Sequence, residues 1–239
     1  IGLRISSNSF TLKINVYNRH YKRRYKVNIR KLFLTVAIAA VTTGPVLAEV
    51  GLGADVVNRY VWRGTDFGNA VSVQPGISYA TGAIEVGAWS SWAINGGGAN
   101  ENDLYVSFAA GPVGITITDY FFPANSGVGD NFFEYGDDGA HIIEVMGSFE
   151  TGPLSLAAAI NVIGSDSEDS FWIEAGYGLG EVGGADVSLS AGLGNGAYTT
   201  DTDPNLVAVG VNISSGDYFG SYIINPDKET SFMVFGTSF

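Results

Sequence analysis

The sequence predicts an all-β protein: a transmembrane antiparallel up-and-down β-barrel of about twelve strands, with short periplasmic turns and longer extracellular loops. Three observations carry this. From Val50 onward, segments of about ten residues alternate apolar and polar side chains, the period of a strand. The connections between them alternate between tight glycine-bearing turns and longer polar loops. The stretch Thr230-Ser231-Phe232-Met233-Val234-Phe235-Gly236-Thr237-Ser238-Phe239 is a strand with no turn after it. Such a strand must be held by a neighbour, and pairing it with the first strand closes a barrel and removes both edges.

Composition narrows the class further. The 239 residues suffice for one large domain, and no cysteine is present, which excludes disulfides and thiolate chemistry. Charged residues are 15%, low against the usual quarter, while glycine (33 residues) and aromatics (13%) are abundant. After residue 48 no run approaches the roughly 20 apolar residues of a membrane helix, so any membrane crossing falls to strands. Charge is divided unevenly. Residues 1–48 contain no acid, whereas residues 49–239 hold all 24 acids and only Arg59, Arg63 and Lys228, a formal charge of −21. Nucleic acid is thereby excluded as a partner of that part.

The basic Asn28-Ile29-Arg30-Lys31, the apolar run from Leu32 to Val41 and the small-residue site Val46-Leu47-Ala48 predict a signal peptide over 27–48. No cysteine follows it, so a lipoprotein is excluded. Residues 1–26 are basic and rich in Asn and Tyr, and they precede the charged start of that signal. They are expected to be an upstream, unfolded segment, with translation beginning at Val27. The barrel is expected over 49–239.

In order, the predicted strands are 50–63, 71–80, 83–94, 103–110, 113–122, 139–150, 153–163, 170–180, 185–195, 204–214, 217–225 and 230–239. Tight turns fall at Thr81-Gly82, Gly111-Pro112, Thr151-Gly152, Glu181-Val182-Gly183-Gly184 and Ser215-Gly216; the long loops are 64–70, 95–102, 123–138, 164–169, 196–203 and 226–229. An even strand number leaves both barrel ends of the chain on the periplasmic side. In the first strand Leu52, Ala54, Val56, Tyr60 and Trp62 share one face, and Asp55, Arg59 and Arg63 the other. Ile84, Val86, Ala88 and Trp92 oppose Glu85, Gly87 and Ser91; Ile173, Ala175 and Tyr177 oppose Glu174, Gly176 and Gly178. The small, polar second face together with the signal peptide favours apolar side chains turned outward to lipid. Aromatics near strand ends (Tyr60/Trp62, Trp89/Trp92, Tyr120/Phe121/Phe122, Phe132/Phe133, Phe171/Trp172, Tyr218/Phe219/Tyr222) are expected to form interfacial girdles.

Two resemblances attach to these residues. Met233, Phe235 and Phe239 lie on one face of the final strand, which resembles the C-terminal signal that the barrel-assembly machinery reads on bacterial outer-membrane proteins. Asp55-Val56-Val57-Asn58-Arg59-Tyr60-Val61-Trp62-Arg63-Gly64, with Gln74-Pro75-Gly76-Ile77-Ser78-Tyr79 and Gly87-Ala88-Trp89-Ser90-Ser91, resembles the TorF-type porins, clearest over residues 50–92. That resemblance implies an outer-membrane barrel with a transport role and supplies neither a substrate nor catalytic residues.

A charge facing lipid at mid-depth costs a few kcal/mol, so Asp55, Arg59 and Arg63 are expected to face the lumen. There, with Gln74, Glu85, Glu144 and Glu174, they are the pore-lining candidates. Two readings stay open: a charged constriction that selects solutes, or a salt-bridged plug that fills a narrow barrel. The acidic loops at Asp137/Asp138, Asp166/Glu168/Asp169, Asp201/Asp203 and Asp227/Glu229 lack a full Ca²⁺-loop pattern and read as solvated surface. No metal, cofactor or catalytic residue is expected. His141, the lone histidine after residue 48, reads as a rim residue at a strand mouth.

The functional expectation is an outer-membrane, porin-like channel for small solutes, cation-preferring because of its surplus acid. Its partners would be outer-membrane lipid and lipopolysaccharide, the barrel-assembly machinery and a small-molecule solute. The alternatives are a non-conducting structural or adhesion barrel with acidic ligand-contacting loops, and a lipid-modifying hydrolase that would need His141.

Overall fold

The structure, a computed structural model, describes residues 48–123, 132–166 and 168–239. The expected upstream segment 1–26 and the signal peptide 27–48 lie outside these residues, except Ala48, which opens the first strand. The strands are β1 (Ala48–Val57), β2 (Val61–Trp62), β3 (Thr65–Asp66), β4 (Ser72–Thr81), β5 (Ile84–Ala93), β6 (Glu101–Ala110) and β7 (Val113–Phe121). After them come β8 (His141–Thr151), β9 (Leu154–Gly164), β10 (Phe171–Val182), β11 (Ala185–Gly196), β12 (Thr202–Ser215), β13 (Tyr218–Asn225) and β14 (Thr230–Ser238). All but β2 and β3 form one closed antiparallel barrel, in which each strand pairs with its neighbour in sequence and β14 returns to β1. No helix occurs among the described residues.

The alternation of connections is as the sequence predicts. At one end, two-residue turns join β4 to β5, β6 to β7, β8 to β9, β10 to β11 and β12 to β13, and each contains a glycine at positive φ: Gly82, Gly111, Gly152, Gly183 and Gly216. The longer connections gather at the other end. The faces follow as well. Leu52, Ile77, Ile115, Ile173 and Met233 are exposed on the outside, whereas the register sets Gly53, Asp55 and Val57 of β1 beside Gly76, Gln74 and Ser72 of β4 on the lumen side. The apolar side chains therefore face out, as a barrel in lipid requires.

The closing seam is short. β1 and β14 share three register pairs, Asp55↔Ser238, Val56↔Thr237 and Val57↔Gly236, against ten between β1 and β4. Phe239 extends the seam by exchanging backbone hydrogen bonds with Ala54 (3.0 and 3.3 Å). At its other end Asn58 takes over: its backbone N–H donates to Phe235 O (3.0 Å), its Nδ2 donates to Met233 O (3.1 Å), and its Oδ1 accepts from Phe235 N (2.9 Å).

One predicted element is corrected. The strand expected over 50–63 leaves the wall at Val57, and Arg59 and Arg63 do not lie on it. The chain instead turns inward and forms the hairpin β2–β3, with Val61 opposite Asp66 and Trp62 opposite Thr65.

Candidate functional site

The inward hairpin fills the long-loop end of the lumen. Its turn is Arg63-Gly64, at φ 50° and 72°, the left-handed pair of a type I′ two-residue hairpin. Glycine meets this geometry without cost; arginine does so only where its surroundings hold it. Gly64 lies against the inner wall, where a Cβ would overlap the backbone carbonyl of Val207 on β12, itself fully buried. Asn225, at the end of β13, donates from Nδ2 to Gly64 O (2.9 Å), and Lys228 Nζ donates to Thr65 Oγ1 (3.1 Å). The segment between β1 and β4 thus enters the lumen and is pinned against β12 and the end of β13.

The turn delivers Arg63 into a buried cage. Its Nη2 donates to Glu144 Oε1 (3.0 Å), its Nη1 donates to Glu144 Oε2 and to the Tyr198 hydroxyl (2.7 Å), and the side chains of the ion pair are 7% and 2% exposed. The guanidinium also stacks over Trp62 at 4.1 Å and lies 5.4 Å from Trp172. The Tyr120 hydroxyl donates to Glu144 Oε1 (3.1 Å). Burial opposes the arginine's charge, but the bidentate Glu144 outweighs it and holds the guanidinium more firmly protonated than usual. Around this pair Tyr60 stacks on Phe67 (4.9 Å), Trp62 meets Tyr120 (5.3 Å) and Phe67 lies parallel to Phe122 (6.0 Å). Burial first, and the charge of Glu101 second, push the Tyr60 phenol far above its ordinary value, so it stays neutral.

The pore-lining candidates separate on this frame. Arg63 meets Glu144 but not Glu85, and Glu174 feels its charge from β10. Arg59 meets none of the three. It pairs with Asp66 (3.5 Å) and Asn69 (2.7 Å) inside its own loop and lies over Phe232. Their separation has a simple cause: the chain bends between them, so the period-two argument that placed them on one face does not hold past Val57. Asp55 and Gln74 face each other across β1 and β4 on the lumen side, and Gln74 Nε2 donates to Ser91 Oγ (3.3 Å). Glu85 accepts from the Tyr105 hydroxyl (2.9 Å) farther toward the turn end.

Several site residues were not singled out from the sequence. Glu101 and Asp103 on β6 point into the lumen beside Tyr60, 1% and 7% exposed, each with one carboxylate oxygen that makes no hydrogen bond. Their spacing of two is a readable signal; the predicted strand started at Asp103 and left Glu101 in a loop. The expected girdle is also corrected. Tyr60, Trp62, Trp89, Tyr120, Phe122 and Trp172 lie inside, as the ring contacts among them and their burial show, whereas Trp92, Tyr218 and Tyr222 do face outward.

His141 is corrected too. It is fully buried on the outer side of the wall, under the connection between β7 and β8. Its Nδ1 faces Asp119 Oδ1 at 2.7 Å, its Nε2 faces Phe132 O at 2.9 Å, and the Tyr135 hydroxyl donates to Asp119 Oδ2 (3.1 Å). Phe121 and Tyr135 stack against the imidazole. Local sequence does not show this arrangement, because Asp119 stands on the preceding strand. Among the described residues no group of three or more His, Cys, Asp or Glu could hold a metal ion.

A closed twelve-stranded antiparallel barrel with an apolar outer face has the architecture that outer-membrane barrels share. Residues 39–232 match the model of the family described as bacterial proteins of unknown function, Gcw_chp, and the chain belongs to that family. Comparison with curated proteins finds no match. Among solved structures, one described as "Unveiling the Mechanism Behind the in-meso Crystallization of Membrane Proteins" is similar over 79% of this chain and 82% of that one, at 10% identity and a TM-score of 0.46. A likeness of that size carries no functional argument.

Proposed function

We propose that the protein is a non-catalytic outer-membrane channel of the porin type for passive entry of small solutes, cation-preferring and narrowed at its long-loop end by the β2–β3 hairpin. The observation that carries the reading is the charge of the interior. Asp55, Glu85 and Glu174 face the lumen outside the ion pairs of Arg59 and Arg63, the adjoining buried carboxyls Glu101 and Asp103 add to them, and the two arginines are offset by Asp66 and Glu144. Surplus negative charge between low-dielectric walls raises the local concentration of cations and repels anions. The resemblance of residues 50–92 to the TorF-type porins supports the same reading. So does the outward row Met233, Phe235 and Phe239, which fits a C-terminal strand read by the barrel-assembly machinery. The apolar exterior fits lipid and lipopolysaccharide as surroundings.

A second reading has its own observation. The hairpin is pinned to β12 and β13 and its Arg63 reaches Glu144 on β8, as it would in a non-conducting structural or adhesion barrel. Conductance separates the two. Refolded protein in planar bilayers is expected to conduct with cation selectivity, and a variant with residues 61–66 replaced by a short Gly-Ser linker is expected to conduct more. Silence from both proteins would overturn the channel reading, and cell fractionation that left the chain outside the outer membrane would overturn its location.

A further inference from the structure

Between the hairpin and the wall at the long-loop end lies a cleft of about 220 Å³. Trp62 and Phe67 of the hairpin form one side; Tyr120, Phe122, Tyr198 and Asn161 of the wall and its loops form the other. The lining is almost wholly aromatic and apolar, with one conspicuous polar atom. Asn161 is 5% exposed, and its Nδ2 donates to Asp166 Oδ2 (2.7 Å), which fixes the amide orientation because a carboxylate can only accept. Its Oδ1 is thereby left as an acceptor without a hydrogen bond, in a setting where buried polar atoms are normally satisfied.

From these features we infer that the cleft is a binding site for a small, neutral, planar aromatic molecule carrying one hydrogen-bond donor, of the phenol or indole class. Trp62, Phe67, Tyr120 and Phe122, packed on one another at 5.3–6.3 Å, line the cleft as an aromatic wall against which a flat ring can pack. The donor completes Asn161 Oδ1. An apolar cavity of about 150 Å³ holds a benzene ring, so this one has room for one or two fused rings. A sugar would bring many hydroxyls to a lining that is mostly apolar, and Arg63, the buried cation beside it, is already held by Glu144. The site stands on the cleft alone and holds whether or not the barrel conducts.

Equilibrium dialysis of the full-length mature barrel in lipid nanodiscs tests it, with 2-naphthol and naphthalene as probes and empty nanodiscs as the partition baseline. Saturable uptake of one 2-naphthol per chain is expected, with naphthalene about tenfold weaker, the scale of one buried hydrogen bond. Asn161→Leu should bring the two probes to within about twofold of each other, and Ala197→Trp, which fills the cleft mouth, should abolish uptake of both. Heat-modifiable gel mobility confirms that each variant is folded; should one fail to fold, the other and the wild-type probe ratio still decide. No saturable uptake above empty discs, or a probe preference unchanged in Asn161→Leu, would overturn the assignment.

Discussion

The two ends of the lumen are built by opposite rules. Toward the turn end the inner wall of β10 to β13 is lined by Gly176, Gly178, Ser188, Ser190, Gly210, Asn212 and Ser221. Small side chains there hydrogen-bond to one another along the wall, as Ser221 does to Asn212 (2.7 Å), and no segment among the described residues crosses the space between. At the loop end two of these strands carry Trp172 and Val207, β8 adds Glu144, and a hairpin from the segment after β1 packs among them. The same closed sheet forms the wall at both ends. What differs is whether a loop turns in or out, and that is decided by a turn sequence and a charge rather than by strand pattern.

The contrast can be broken most directly at Arg63. Arg63→Met leaves Glu144 buried without its counter-charge, and the expected loss is about 3–5 kcal/mol of stability by denaturant unfolding in detergent. Adding Glu144→Gln should recover part of that loss; no recovery would mean that the ion pair is incidental. Next in size is Gly64→Ala. The left-handed φ and the overlap with the Val207 carbonyl should cost about 2–3 kcal/mol and lift the hairpin, so that limited proteolysis cuts within 58–71 while the barrel stays heat-modifiable. Smallest should be Ser190→Ala at the turn end, within about 0.5 kcal/mol of wild type. If Ser190→Ala proved as costly as Gly64→Ala, the lumen would be uniformly packed and the distinction between its ends would be lost.

Much of the wall was legible in the sequence because a strand with one apolar face has a period of two and a two-residue hairpin turn calls for glycine; Gly111-Pro112 falls where expected, and the turn expected at Ser215-Gly216 lies one residue on, at Gly216-Asp217. The first strand misled for a physical reason. Val56, Tyr60 and Trp62 keep period two across Asn58, and a hairpin folded inside a barrel shows the same alternation as a strand in its wall. The clue was Arg63-Gly64 itself, a two-residue turn inside an otherwise strand-like run. The inward rings were legible in part: Trp89 shares parity with Glu85 and Ser91, yet aromatic character suggested the lipid boundary. The burial of His141 was not legible, since it depends on Asp119 across a strand pair and on Phe132 and Tyr135 from the loop above.

Asn58 bears on how such an interior can exist. A ribbon that bends into its own cylinder abandons the neighbour it was paired with, and here that neighbour is the last strand of the chain. One carboxamide substitutes for the missing peptide group, offering a donor to Met233 and an acceptor to Phe235 with the spacing a backbone would have supplied. The cylinder is thereby sealed at the point where its first stave departs, and the departing chain is free to carry a cation to the axis.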